Sequence, residues 1–259
     1  MIVSDSPLSS VGNALRILKA LGGEEPSLGV TELAKLLGIA KSTTHRLLTT
    51  LAGENFVRKL DNGRYSLGFA LWELGSRMVG GLELRDVAHQ VLEELRNATG
   101  ETVHLAVLDG TQVVYIDRFE SEATVVLFRR IGLRMPAHAT SSGKAILAFS
   151  PPEVVTAVID AGLAKLGPGT LTTKRAFLDA LDQIRTAGYV VSIEESERGV
   201  GSVGAPVFDH RGEVVGAVSV AGPLQRFPES AIPQLVRRVR KASNDISRNL
   251  GHSKSIKAV

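Results

Sequence analysis

The sequence predicts an α+β protein in three parts: a winged helix-turn-helix over residues 1–67, a linker helix over 68–81, and an antiparallel sheet with packed helices over 82–259. Three observations carry this reading. Two short helical segments are joined by a turn that contains Gly38. A basic hairpin segment, "FVRKLDNGRYSLG", follows them directly. Beyond Thr99 the apolar period changes from helical spacing to strand alternation, with helices inserted and appended.

The elements follow in order. After Ser9-Ser10, a candidate cap, Val11, Leu15, Leu18 and Leu21 repeat at helical spacing, and Gly22-Gly23 ends the helix. Thr31 can cap a second helix to Leu37, with Leu33, Leu36 and Leu37 facing inward. A third helix runs from Lys41 to about Gly53, with Thr44, Leu47, Leu48 and Leu51 on its inner face. Lys41, Ser42, Thr43, His45 and Arg46 lie on the rest. Serine and threonine are mediocre helix formers, so propensity does not explain their density. They do let a helix approach phosphates and base edges closely, and Arg46 can grip guanine O6 and N7 together. An ordinary amphipathic helix with a polar outer face would read the same way, so the next segment decides. Strands over 56–60 and 64–67 flank Asn62-Gly63, a strong hairpin signal. Arg58, Lys59 and Arg64 on this wing would straddle a DNA backbone or enter its minor groove.

Leu67, Leu71, Leu74 and Met78 then recur at four-three-four spacing beside Trp72, until Gly80-Gly81 breaks the helix. This stripe suits a partner helix, and Leu71, Trp72, Leu74 and Met78 are its candidate dimerisation residues. The alternative is packing on its own domain. An amphipathic helix from Leu84 to Thr99 opens the last part. "ETVHLAVL", "QVVYIDRF", "ATVVLF", "YVVSIEE", "SVGAPVFD" and "EVVGAVSVAG" read as strands. "SSGKAILAF", "PPEVVTAVIDAG" and "KRAFLDALDQIRTAG" read as helices, and a last basic helix spans about Glu229 to Leu250.

Composition narrows the classes. The chain has no cysteine, which excludes disulfides, thiolate metal sites and a cysteine nucleophile. No apolar run approaches the ~20 residues of a membrane span, and "MIVSDSPLSSVG" lacks an export signal, so a cytoplasmic location is expected. Residues 81–236 are net acidic at −5, whereas 237–259 are net +6. The high pI therefore comes largely from the tail, which reads as a solvated helix face or a binding arm.

"MPAHATSSGKAILAF" is the most informative loop. Thr140 or Ser141 can cap a helix whose free N–H groups and two hydroxyls make a ready carboxylate site. A merely structural capped helix is the plainer alternative. Ser141 to Lys144 fits S-x-x-K, but no K-T-G or S-D-N partner occurs. Gly143-Lys144 fails as a P-loop, because His138 stands where glycine is needed and Ala145 replaces serine or threonine. His89, His104 and His138 form no ligand cluster in sequence, so no metal is assigned, although folding could bring the last two together. Glu194, Glu195, Glu197 and Arg198 form a charged loop, either a solvated turn or a lid.

The chain resembles the IclR family of bacterial transcriptional regulators along nearly its whole length. The resemblance rests on "TELAKLLGIAKSTTHRLLTTL", "GRYSLG", "MPAHATSSGKAILA", "ERGVGSVGAPVFD" and "GEVVGAVSVAGP", in that order. It implies a GAF-like C-terminal domain that binds a small effector, operator DNA as the macromolecular partner, no cofactor, and dimers that often pair into tetramers. By motif it assigns the effector site to Ser141 and Ser142, to Ser202, to Ser219 and Ala221, and to a polar position between Ser192 and Glu194, and the helix-start N–H groups add Gly143. Ala221 stands where relatives often have serine. That favours an aromatic or aliphatic acid over a very small polar one, with its carboxylate at the N–H groups of Ser141–Gly143. An enzyme acting on a small acid, or a constitutive DNA binder with a vestigial sensor, are the alternatives.

Overall fold

The computed structural model describes residues 9–23, 25–76, 79–121 and 131–252, and these fall into two compact units divided after Val79. The first unit holds helices α1 (Ser9–Leu21), α2 (Val30–Leu37) and α3 (Lys41–Gly53), strands β1 (Val57–Lys59) and β2 (Tyr65–Leu67), and helix α4 (Ala70–Ser76). Ile17, Leu21, Leu33, Leu48, Val57 and Tyr65 form its core. The inner face of α1 differs from the expected one. Val11 and Leu15 are each 53% exposed, and Ile17 is buried instead. This helix carries apolar residues on two faces, and only packing selects between them. Leu36 likewise turns outward. The cap of α2 is Gly29 rather than Thr31, because the Glu32 carboxylate accepts the Gly29 N–H at 2.8 Å. Gly38 ends α2 in the left-handed conformation at φ 66°, as the turn requires.

β1 and β2 pair as an antiparallel wing, and Leu28 bridges to Tyr65 at its base. α4 leaves Trp72 and Leu74 exposed at 65% and 52%, with Leu71 half-buried; Met78 lies outside the described residues.

The second unit begins at Gly80, within α5 (Val79–Thr99). Gly80-Gly81 does not break a helix, as expected from sequence, but lies within its first turn. Each glycine costs about 1 kcal/mol against alanine. Burial of Leu84, Ala88, Leu92 and Leu95 further along the helix offsets that. Then come β3 (Thr102–Asp109), β4 (Gln112–Phe119), β5 (Arg134–Pro136), α6 (Ser141–Leu147), α7 (Pro152–Asp160), α8 (Lys174–Ala187), β6 (Val190–Ile193), β7 (Val200–Phe208), β8 (Val214–Pro223) and α9 (Ile232–Asn249). β5 is unanticipated, and "ATVVLF" lies outside the described residues.

The strands form one antiparallel sheet in the order β5-β4-β3-β8-β7-β6. One face buries Val103, Leu105, Val203, Val218 and Val220 against α5 and α9. α9 starts later than expected, with Pro233 in its first turn. Its apolar side is core, and Arg238 donates to the Ala98 carbonyl, so the described part of the basic tail, through Asn249, is a helix face rather than a free arm. The other face carries α6, α7 and α8. A bulge between Leu105 and Ala106 leaves Ile116 of β4 without a partner in the ladder.

Candidate functional site

On α3 the packing of Thr44 and Leu48, both fully buried, fixes which side faces out. Lys41, Ser42, Thr43, His45 and Arg46 are all exposed on the opposite side. The Thr49 and Thr50 hydroxyls instead donate back to the carbonyls of His45 and Arg46. On the wing, Lys59 is exposed, and Arg58 donates through Nε to the Ser66 hydroxyl at 3.0 Å. Arg64 departs from its expected role as a free wing cation. Its guanidinium donates to the Ser27 carbonyl (2.6 Å), the Ser27 hydroxyl (3.1 Å) and the Glu32 carboxylate (2.9 Å), tying the wing to α2. The Gly29 N–H and Arg64 together hold the Glu32 carboxyl below its ordinary range.

The second site lies on the sheet face beneath α6. Paired residues on neighbouring strands share a face. The register therefore aligns Arg118, His104, Ser219 and Gly204 in one row across β4, β3, β8 and β7. The adjoining row is Thr102, Ala221, Ser202 and Ser192. Helix α6 sits against this face at a glycine: a Cβ on Gly204 would lie 3.0 Å from the Ser141 backbone. Gly143 is equally committed, because a Cβ there would fall 2.1 Å from the Ala137 carbonyl oxygen.

This arrangement brings Ser142 and Ser219 together, 2.9 Å apart, although 77 residues separate them in sequence. Tyr115 hydrogen-bonds Ser142, and burial still pushes its phenol up to about 12. The rings of His104 and Tyr115 lie 4.8 Å apart. Burial, reinforced by the Arg118 charge, lowers His104 to about 3, so its imidazole is neutral. A sheet face under a helix is normally apolar, so this density of buried hydroxyl, imidazole and guanidinium groups makes the face a candidate site.

Two expectations need correction. The N–H of Gly143 is not free, because the Thr140 hydroxyl accepts it at 3.0 Å. Glu194 is not a polar strand position. It follows β6 with φ 53°, and its carboxylate accepts the Gly199 N–H at 2.7 Å, closing the loop. The buried polar position on the strand is Ser192.

A pair that sequence reading missed also shapes the site. Lys144 Nζ contacts both carboxylate oxygens of Glu195, at 2.5 and 2.6 Å, and both side chains are buried. Burial lowers the Lys144 pKa, and Glu195 opposes that shift. The Glu195 carbonyl also accepts the Thr170 hydroxyl at 2.6 Å. The charged loop is thus pinned through Glu195, while Glu197 and Arg198 face solvent. Period-two polarity in "TVHLAVL" was the available signal for Thr102 and His104. The Lys144–Glu195 contact has no local signature. His138 bonds the Ala164 carbonyl and His89 bonds Asp117. Among the described residues no group of three or more His, Asp or Glu could hold a metal ion.

A family model for the IclR helix-turn-helix domain matches residues 10–61, and one for the bacterial transcriptional regulator IclR C-terminal region matches residues 76–248. The chain belongs to the IclR family. It is 35% identical over 247 residues to the HTH-type transcriptional regulator XynR of Escherichia coli, covering 95% of this chain and 98% of that one. The IclR of Thermotoga maritima superposes with a TM-score of 0.80 at 33% identity, covering 94% of this chain and 99% of that one. An IclR homologue from Microbacterium hydrocarbonoxydans, solved with 4-hydroxybenzoate, gives a TM-score of 0.84 at 29% identity, covering 93% and 98%. Membership of the IclR family makes this a DNA-binding transcriptional regulator and not an enzyme. Among the described residues no helix is long and apolar enough to cross a membrane.

Proposed function

We propose that the protein is a cytoplasmic, homodimeric regulator of a catabolic operon whose operator affinity is set by a small organic acid. Residues 1–67 would bind DNA, 68–81 link the domains, and 82–259 hold the effector. The observation that carries the effector reading is the Ser142–Ser219 contact at the centre of a buried polar face. Ser141, Ser202 and Ala221 border it. The carboxylic acid bound by the Microbacterium homologue supports the same ligand class.

The exposed row Lys41, Ser42, Thr43, His45 and Arg46 would enter the major groove, with Arg58 and Lys59 on the flanking backbone. Arg46→Ala is expected to weaken cognate operator binding by about 1–3 kcal/mol and leave scrambled DNA nearly unaffected. Gel-shift titrations on both sequences measure this. Unchanged discrimination in the variant would remove Arg46 from base readout. In the same assay, an acid that shifts operator affinity should lose its effect on Ser142→Leu, whose added bulk fills the site.

Dimerisation is assigned to α4. Trp72 and Leu74 are large apolar side chains left in solvent within one chain, and Leu71 lies beside them. The double substitution Leu71→Asp, Leu74→Asp should convert dimers to monomers in sedimentation velocity. A variant that still sediments as the wild-type dimer would place the interface elsewhere.

A further inference from the structure

A cation on the hydroxyl-rich face described above would strengthen its hold on an acid, and Lys144 cannot serve, because Glu195 already takes its ammonium group. We propose that Arg118 binds the effector's carboxylate, an assignment that rests on reading this face as the effector site. Arg118 stands opposite His104 in the β3–β4 ladder and so shares the face of Ser219 and Ser142. Its side chain is only 7% exposed. Nε and Nη1 are buried and make no hydrogen bond among the described residues. Nη1 lies 3.2 Å from Glu120 Oε1, close enough for an ion pair but without hydrogen-bond geometry. The Glu120 side chain is 67% exposed, so water can replace Arg118 as its partner.

Buried guanidinium donors without acceptors are costly, and structural arginines avoid the situation. Arg64 and Arg226 illustrate the usual solution here, each bonded to a carboxylate. A carboxylate ligand would supply the missing acceptors as charge-assisted hydrogen bonds. The neighbouring neutral His104 adds no second charge, so one carboxylate suffices.

The geometry also sets the ligand's length. Adjacent strands lie about 4.8 Å apart, so the β4 and β8 backbones at Arg118 and Ser219 are about 10 Å apart. An acid whose carboxylate pairs with Arg118 would need an uncharged body of about that length to reach the Ser142–Ser219 pair. That span fits an aromatic or medium-chain acid.

Calorimetric titration of the full chain with benzoate, cinnamate and hexanoate, each beside its neutral amide, tests the assignment. At least one acid should bind the wild type more tightly than its amide. Arg118→Gln should weaken that acid about 10- to 100-fold while leaving amide binding nearly unchanged. Arg118→Met, neutral and apolar, replaces it if the glutamine variant does not fold. A purely structural arginine would not alter the preference of acid over amide. The assignment is overturned if the neutral variants bind the acid as tightly as wild type, if acid and amide bind alike, or if none of the three acids binds. Ser142→Leu separates the two readings. Binding lost in Ser142→Leu but kept in Arg118→Gln leaves the effector face standing without Arg118. Binding of an operator-active acid kept in both variants removes the face itself.

Discussion

Glu195→Gln is expected to destabilise the protein by about 3–5 kcal/mol, because it leaves the Lys144 ammonium buried without its counter-charge. The two side chains are 3% and 8% exposed, so water cannot take over. The pair joins α6 to the loop after β6, and the Thr170 bond to the Glu195 carbonyl makes that loop part of the same unit. Replacing both partners by apolar residues, as in Lys144→Met with Glu195→Leu, should recover most of the loss, since neither charge then remains to be desolvated. Urea unfolding of the full chain, followed by circular dichroism, measures both. A Glu195→Gln protein within about 0.5 kcal/mol of wild type would mean that the ammonium finds water or simply releases its proton.

Acidification is expected to weaken the fold through His104. The folded protein holds this imidazole at about 3, against an ordinary value of 6.5. Burial is the main cause, and the Arg118 charge adds to it. Below pH 6.5 the unfolded chain therefore takes up a proton that the folded chain refuses, and stability falls as the pH falls. The slope is about 1.4 kcal/mol per pH unit, so roughly 2–3 kcal/mol is lost by about pH 4.5. Above pH 6.5 both states hold a neutral ring and the contribution is flat. His104→Gln should remove this part of the pH dependence. Urea midpoints at several pH values for both proteins give the difference, in which other titrating groups cancel. Parallel curves would show that His104 is protonated in the folded state without cost.

Much of this was legible in the sequence where the signal is local. The bounds of α3, the glycine turn at Gly38 and the hairpin around Asn62-Gly63 depend on residues within a few positions of each other. One loop offered Thr140 or Ser141 as a helix cap, and Thr140 takes that role. Choices made by distant partners were not legible. The buried face of α1 was misassigned, because Val11 and Leu15 repeat as regularly as Ile17 and Leu21 do. Arg64 read as a DNA contact, since nothing near it announces Ser27 or Glu32. Arg118 was hidden by the bulge. Strict alternation from Tyr115 would send it to the opposite side of the sheet, and the extra residue Ile116 reverses that parity. Lys144 and Glu195 are 51 residues apart and meet only through the fold.

The glycine seat of α6 has a consequence for the polar face beneath it. Gly204 lets bare backbone rest on the Ser141 backbone, so it acts as a shim of minimum thickness between helix and sheet. A methyl group there would lift that end of α6 by a few tenths of an ångström. The 2.9 Å contact between Ser142 and Ser219 would shift with it, although neither side chain had been altered. The spacing of the two hydroxyls is thus set from behind, by a residue that contributes no side chain to it.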